Sequence, residues 1–144
     1  MTDLLFVYGT LMNNIQSNIA GYLHQNSDFV GEGSLQGRLY DLGNYPGAIY
    51  DMQADSCAYG HMFRIFDPEN MLKRLDFYEG ISLLQPDKNE YRRELVPVEV
   101  NKKPVHCWAY LYNFSTESLE EITEGNYLIY LKSNELHQHF IKNN

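Results

Sequence analysis

The chain has 144 residues, a formal charge of −8 and 44% hydrophobic residues, which fits one globular domain with a sizeable core and excludes a disordered composition. The acidic balance excludes a nucleic-acid partner, because contact with a phosphate backbone needs a basic face. Twelve tyrosines supply apolar area together with hydroxyls that need partners, a combination suited to a polar pocket walled by rings.

Near the start, Leu4-Leu5-Phe6-Val7-Tyr8 runs without a polar break and stops at Gly9. A short apolar run ended by a turn residue predicts a buried strand. Its exit, Gly9-Thr10-Leu11, has two readings: an ordinary loop, or a row of free amides forming an anion-binding concavity. Met1-Thr2-Asp3 carries no positive charge, and the apolar run after it is too short for a signal peptide. No segment approaches the length of a membrane span. Cys57 and Cys107, the two cysteines, make no disulfide framework in a chain this long. The expectation is a soluble protein in the reducing cytoplasm, with no membrane partner.

Asn13 and Asn14 are placed to cap a helix in which Ile15, Ile19, Tyr22 and Leu23 share a face. Residues 28–41 read as a strand bent at Gly31, Gly33 and Gly37, as in a curved sheet or barrel. Asn44-Tyr45-Pro46-Gly47 is a turn, with strands predicted over 48–52 and 57–66. Asp67-Pro68 opens the clearest helix, with aspartate as N-cap, proline at the first position and Glu69 in the first turn. Met71, Leu72, Leu75 and Tyr78 form its apolar face, and Gly80 ends it. A loop over 81–90 contains Pro86; strands over 91–100 and 104–114 pair through Asn101-Lys102-Lys103. A short helix is predicted at 126–132. The domain occupies 1–132, and 133–144 is a C-terminal tail that frays. The pattern is α+β in a single domain, a small mixed, mostly antiparallel β-barrel with flanking helices.

Among candidate chemical groups, the cysteines and histidines form no catalytic pair. His106 and Cys107 are strand neighbours and point to opposite faces. Cys57 and His61 share a face but stand about 13 Å apart along a strand. His61, among Cys57, Tyr59, Phe63 and Ile65, reads as a hydrogen-bonded core histidine. His137 and His139 have no supporting ligand spacing, and no metal signature is present. Gly31-Glu32-Gly33 precedes no helix start, so it is not a phosphate cradle.

The carboxylates are more informative. Glu79 falls at the C-terminal end of the clearest helix, where dipole and unpaired carbonyls disfavour negative charge by about 0.3–1 kcal/mol. That field, with Phe77, Tyr78 and Ile81 around it, should raise the pKa of an inward-facing carboxyl. A raised acid suits proton transfer near neutrality; a solvated helix-end glutamate is the alternative. Asp76 reads as a structural carboxylate bonding to local backbone.

In order along the chain stand Tyr8-Gly9-Thr10-Leu11, Tyr45-Pro46-Gly47, Leu75-Asp76-Phe77-Tyr78-Glu79-Gly80, Tyr91-Arg92-Arg93, Ala109-Tyr110-Leu111-Tyr112 and Glu124-Gly125-Asn126-Tyr127. This ordered set resembles the gamma-glutamylcyclotransferase-like superfamily, including its gamma-glutamylamine cyclotransferase and avirulence-induced (AIG2-like) branches. Tyr78 stands where phenylalanine is frequent in that family, and Asn126 where aspartate is. The resemblance implies a substrate-binding loop at Tyr8, Gly9, Thr10 and Leu11 and a general acid/base at Glu79. By family position and strand placement, Tyr91 and Tyr112 are candidate hydroxyls beside the acid. The implied reaction converts a γ-glutamyl amine or γ-glutamyl amino acid to 5-oxoproline and a free amine, with no cofactor and no metal. The partner is then a small γ-glutamyl molecule whose leaving group is shaped by 82–89 and the tail. Glutathione, γ-glutamyl-amino acids and γ-glutamyl-lysine all fit. The alternative from another class is a non-catalytic ligand-binding or interaction module of the same fold. The sequence carries no signal for an oligomeric state.

Overall fold

β1 (Leu4–Val7) lies at the centre of the sheet, and Leu5, Phe6 and Val7 are all buried. A strand covered on both faces needs no polar alternation, which is why this run shows none. The computed structural model describes residues 2–12 and 17–142. Asn13, Asn14 and Ile15 lie outside the described residues, as do the side chains of His137 and His139.

The helix after β1 is α1 (Asn18–Gln25), and its cap is Ser17, whose side chain accepts from Ala20 N–H. β2 (Ser27–Asp41) follows as a long strand whose register shifts between Phe29 and Gly31, the bend that the glycine punctuation predicts. β3 (Pro46–Tyr50) and β4 (Cys57–Ile65) come next. α2 (Pro68–Tyr78) is capped by Asp67 and buries Met71, Leu72 and Leu75. Tyr78, predicted for the same apolar face, is instead 45% exposed. β5 (Tyr91–Val100) and β6 (Lys103–Tyr112) form a hairpin whose turn residues Asn101 and Lys102 both have positive φ. This is the two-residue turn that matches strand twist. A two-residue strand, β7 (Glu120–Glu121), was not predicted; it pairs with the distal half of β2. The last helix, α3 (Tyr127–Lys142), continues well past the predicted 126–132, with Asn126 accepting from Ile129 N–H at its start.

β2, β4, β1, β6 and β5 are hydrogen-bonded in that order, and Gly33 and Ser34 of β2 pair with Val100 and Glu99 of β5. Those contacts close a five-stranded barrel, while β3 and β7 extend the far half of β2 as a side sheet. Every pairing is antiparallel except β1 with β6, where Leu5 meets Trp108. The α+β, mixed and mostly antiparallel barrel is as the sequence predicts. The parallel pair also fixes where a site can form: the carboxyl ends of β1 and β6 open at the same end of the barrel. No helix among the described residues is long and apolar enough to cross a membrane.

The outer face of β4 corrects one expectation. Ala58, Gly60 and Met62 face the interior, so His61 is half-buried outside it, edge-on to the Phe29 ring at 5.3 Å. The period-2 pattern of β4 had two apolar faces, because Phe63 and Ile65 are also buried. Such a strand does not declare which side is the barrel lumen.

Candidate active site

At that barrel end lies a cavity of about 400 Å³, walled by the end of β1 and its exit turn, the 44–46 turn, the end of α2, Glu90 with Tyr91, and Tyr110. Tyrosines set its frame. The Tyr8 hydroxyl donates to the Tyr110 carbonyl and accepts from Ala48 N–H, tying β1 to β6 and β3. The Tyr91 hydroxyl donates to the Pro46 carbonyl at 2.6 Å. These buried phenols spend their protons on backbone, and burial raises both pKa values. What Tyr8 and Tyr91 present to a ligand is ring surface. Tyr112 does not line the cavity; its ring stands edge-on to Tyr91, at 6.4 Å.

The exit turn is held from behind. Met12 N–H donates to the Gly9 carbonyl, and His24 Nε2 lies 2.9 Å from the Leu11 carbonyl oxygen. Among the described residues no backbone acceptor meets the N–H groups of Gly9, Thr10 and Leu11. Gly9 has a steric reason to be glycine: a Cβ there would sit 2.7 Å from Pro46 Cγ. The turn and the 44–46 wall are therefore in direct contact, and together they shape one side of the cavity.

Glu79 enters the cavity from the end of α2. It is the C-cap residue of α2, followed by Gly80 at φ 72°. Gly80 N–H donates to the Phe77 carbonyl and Ile81 N–H to Asp76, the paired bonds by which a left-handed glycine closes a helix. That turn leaves the Glu79 side chain half-buried in the cavity wall. Its pKa is pushed up to about 7, first by burial and then by the charges of Glu90 and Asp76. The direction agrees with the sequence reading; the cause differs. Phe77, expected to cover the carboxyl, is 87% exposed.

Asp76, one helical turn earlier, bonds across the fold rather than to local backbone. It takes both Arg93 Nε (2.8 Å) and Nη2 (3.1 Å), and the Tyr110 hydroxyl donates to it at 2.6 Å. Arg93 also lies 4.4 Å over the Trp108 ring. This network locks the end of α2 onto β5 and β6.

The sequence reading did not assign several lining residues to the site, among them Asn44, Tyr45, Pro46, Tyr78, Glu90 and Tyr110. Tyr110 and Tyr112 share a strand face, so period-2 alternation pointed to both, and only the register of β5 on β6 separates them. Tyr78 carries its own signal, a hydroxyl at a position where the family often has none; that hydroxyl lies 3.4 Å from Thr10 Oγ1. The loop 82–89 and the tail, expected to shape the leaving-group pocket, contribute nothing to the cavity lining among the described residues. Asn89 instead closes that loop on itself through two bonds to the Ser82 backbone.

Fold and cavity together define a small barrel domain with a pocket at one end, walled in part by a carboxyl of raised pKa. The chain matches the family described as Gamma-glutamyl cyclotransferase, AIG2-like, over residues 5–129, and it belongs to that family. It is 31% identical over 125 residues to the gamma-glutamylcyclotransferase family protein ytfP of Citrobacter rodentium, covering 86% of this chain and 94% of that one. The solution structure of ytfP from Escherichia coli is 28% identical with a TM-score of 0.59, over 87% of this chain and 96% of that one. An AIG2-like protein from Mus musculus shares the fold at a TM-score of 0.64 and 24% identity, over 82% and 84% of the two chains.

Proposed function

We propose that the chain is a γ-glutamyl cyclotransferase-type enzyme that releases 5-oxoproline and a free amine from a γ-glutamyl amide, with Glu79 as its proton carrier. The observation that carries this reading is Glu79: a carboxyl held near pKa 7 in a cavity that also contains a turn whose amides meet no backbone acceptor among the described residues. A carboxyl matched to neutral pH can both take and give a proton. Family membership supports the same chemistry.

The reaction then proceeds by ring closure. Ionised Glu79 takes a proton from the substrate α-ammonium, and the freed nitrogen attacks the side-chain amide carbonyl carbon. A C–N bond forms and the carbonyl oxygen gains negative charge. Glu79 returns the proton to the departing nitrogen, the old C–N bond breaks and the ring carbonyl re-forms; the second proton of the ring nitrogen then passes through Glu79 to the released amine, which leaves as its ammonium and restores the carboxylate. The nucleophile is tethered to its target, and well-oriented closures of this type reach effective molarities of order 10⁵–10⁸ M. The amides of Gly9, Thr10 and Leu11 serve the substrate's negative charge, either its α-carboxylate or the developing oxyanion. No redox change occurs, and the chemistry asks for no group beyond the carboxyl and the cradle.

The test is a panel of γ-glutamyl amides incubated with the wild-type protein, with 5-oxoproline followed by mass spectrometry and binding by thermal shift. Product from at least one member is expected. Compounds that bind and are recovered intact would instead make this a ligand-binding module.

A further inference from the structure

The ring-closing step leaves one carboxylate in the cavity without a task. Glu90 lines the wall and is held in a fixed frame: its carbonyl accepts from Asn113 N–H at 2.8 Å, buried Asn89 precedes it, and anchored Tyr91 follows it. Among the described residues lining the cavity, none is lysine, arginine or histidine. A ligand group carrying negative charge would therefore find no basic side chain there, and a second carboxylate besides Glu79.

The two carboxylates share one cavity, and Glu90 helps to raise the pKa of Glu79. Both act on Tyr45 and Tyr91. Of the two, only Glu79 acts on Tyr8 and Tyr110, at the β1–β6 side where the exit turn begins. Only Glu90 acts on Tyr112, and its hydrogen bond to Tyr45 pushes that phenol up to about 12, on a second side. Tyr45 is 36% exposed, so this second side is the outer rim. Here the rings of the two lining tyrosines, Tyr45 and Tyr91, stand 6.2 Å apart, and Tyr112, outside the lining, stands edge-on to Tyr91. Aromatic faces grouped beside a carboxylate are the chemistry that holds an organic ammonium ion.

The γ-glutamyl half must lie at Glu79 and the exit turn, because the reacting amine and carbonyl are there. The departing group then extends toward Tyr45 and Glu90. We propose that Glu90 is a specificity-determining residue that selects γ-glutamyl amides whose departing amine carries a second, positively charged amino group, and disfavours departing groups that carry a carboxylate. This rests on the reading of Glu79 and the exit turn as the γ-glutamyl site.

Three substrates of similar length test it: mono-γ-glutamyl diaminobutane, γ-glutamyl pentylamine and γ-glutamyl aminobutyrate, whose departing groups are cationic, neutral and anionic. For the wild type, kcat/KM should fall in that order. In Glu90→Gln the cation-to-neutral ratio of kcat/KM should drop roughly 10- to 100-fold, the worth of a hydrogen bond to a charged group. The ratio is the readout because removing Glu90 also lowers the pKa of Glu79, which changes all three rates together. Glu90→Lys should favour the anionic substrate. An unchanged ratio in Glu90→Gln, or a wild type that prefers the aminobutyrate, overturns the proposal. If no substrate turns over, the cyclotransferase reading fails by itself. Calorimetric affinities of the same three compounds for wild type and Glu90→Gln then decide whether Glu90 selects charge.

Discussion

Glu79 is stabilised as the neutral acid, and that has a consequence for folding. Its pKa rises from 4.5 to about 7 on folding, so between those values the folded chain holds the proton more tightly than the unfolded chain does. Stability contributed by the neutral form is complete below about pH 4.5 and is lost as pH rises to about 7. Glu79→Gln never ionises. Allowing for partial exposure, it should be more stable than wild type by about 2 kcal/mol above pH 7 and equal to it near pH 4. Urea midpoints at the two pH values measure this, and equal stability at both would place Glu79 in water. Arg93 acts on the same carboxyl at one remove, by pairing with Asp76. Arg93→Met leaves Asp76 with the Tyr110 hydroxyl but no cation, costs about 2 kcal/mol, and should raise the pH at which Glu79 ionises. The acid side of the rate profile moves up if so; an unmoved profile separates Asp76 from the site.

Two short turns position the reacting groups, and each depends on one glycine. In Gly9→Ala the new Cβ meets the Pro46 ring at 2.7 Å, and a proline ring cannot swing away as a long side chain can. The expected cost is about 1–3 kcal/mol, read as a loss of several degrees in Tm, with at least about a tenfold fall in kcat/KM from the displaced turn. Wild-type turnover in a folded Gly9→Ala variant would mean that the turn does not hold substrate. Elements whose signals are local were legible in the sequence. Asp67-Pro68 and Gly80 bound α2 closely, and Asn101-Lys102 marked the β5–β6 turn. Signals were missed where they are weak or not local. Ser17, which the sequence did not single out, caps α1, and the two-residue β7 pairs only with the edge that β2 offers it.

At the scale of the molecule, the site is made by closure. Glu79, Glu90, Tyr110 and the exit turn are distant in sequence and meet because β1 and β6 run parallel and β2 returns to β5. Barrel class followed from strand count and bent glycines; the pairing of Gly33 with Val100 has no local signature. Glu79 could be singled out because a carboxylate at a helix C-terminus breaks a local rule. Glu90 breaks none, so only the assembled cavity reveals it. The net charge of −8 surrounds this acidic pocket with a field that attracts cations. Added salt should therefore weaken a cationic γ-glutamyl substrate more than a neutral one.

The central claim is that one carboxyl carries the proton through ring closure. It is tested most directly by kcat/KM for 5-oxoproline release as a function of pH in wild type and Glu79→Gln. The wild-type profile should fall below about pH 7, where Glu79 holds its proton. The glutamine variant should bind substrate and lose at least a hundredfold in rate at every pH. A glutamine variant that still releases 5-oxoproline, with an unchanged profile, would contradict the account.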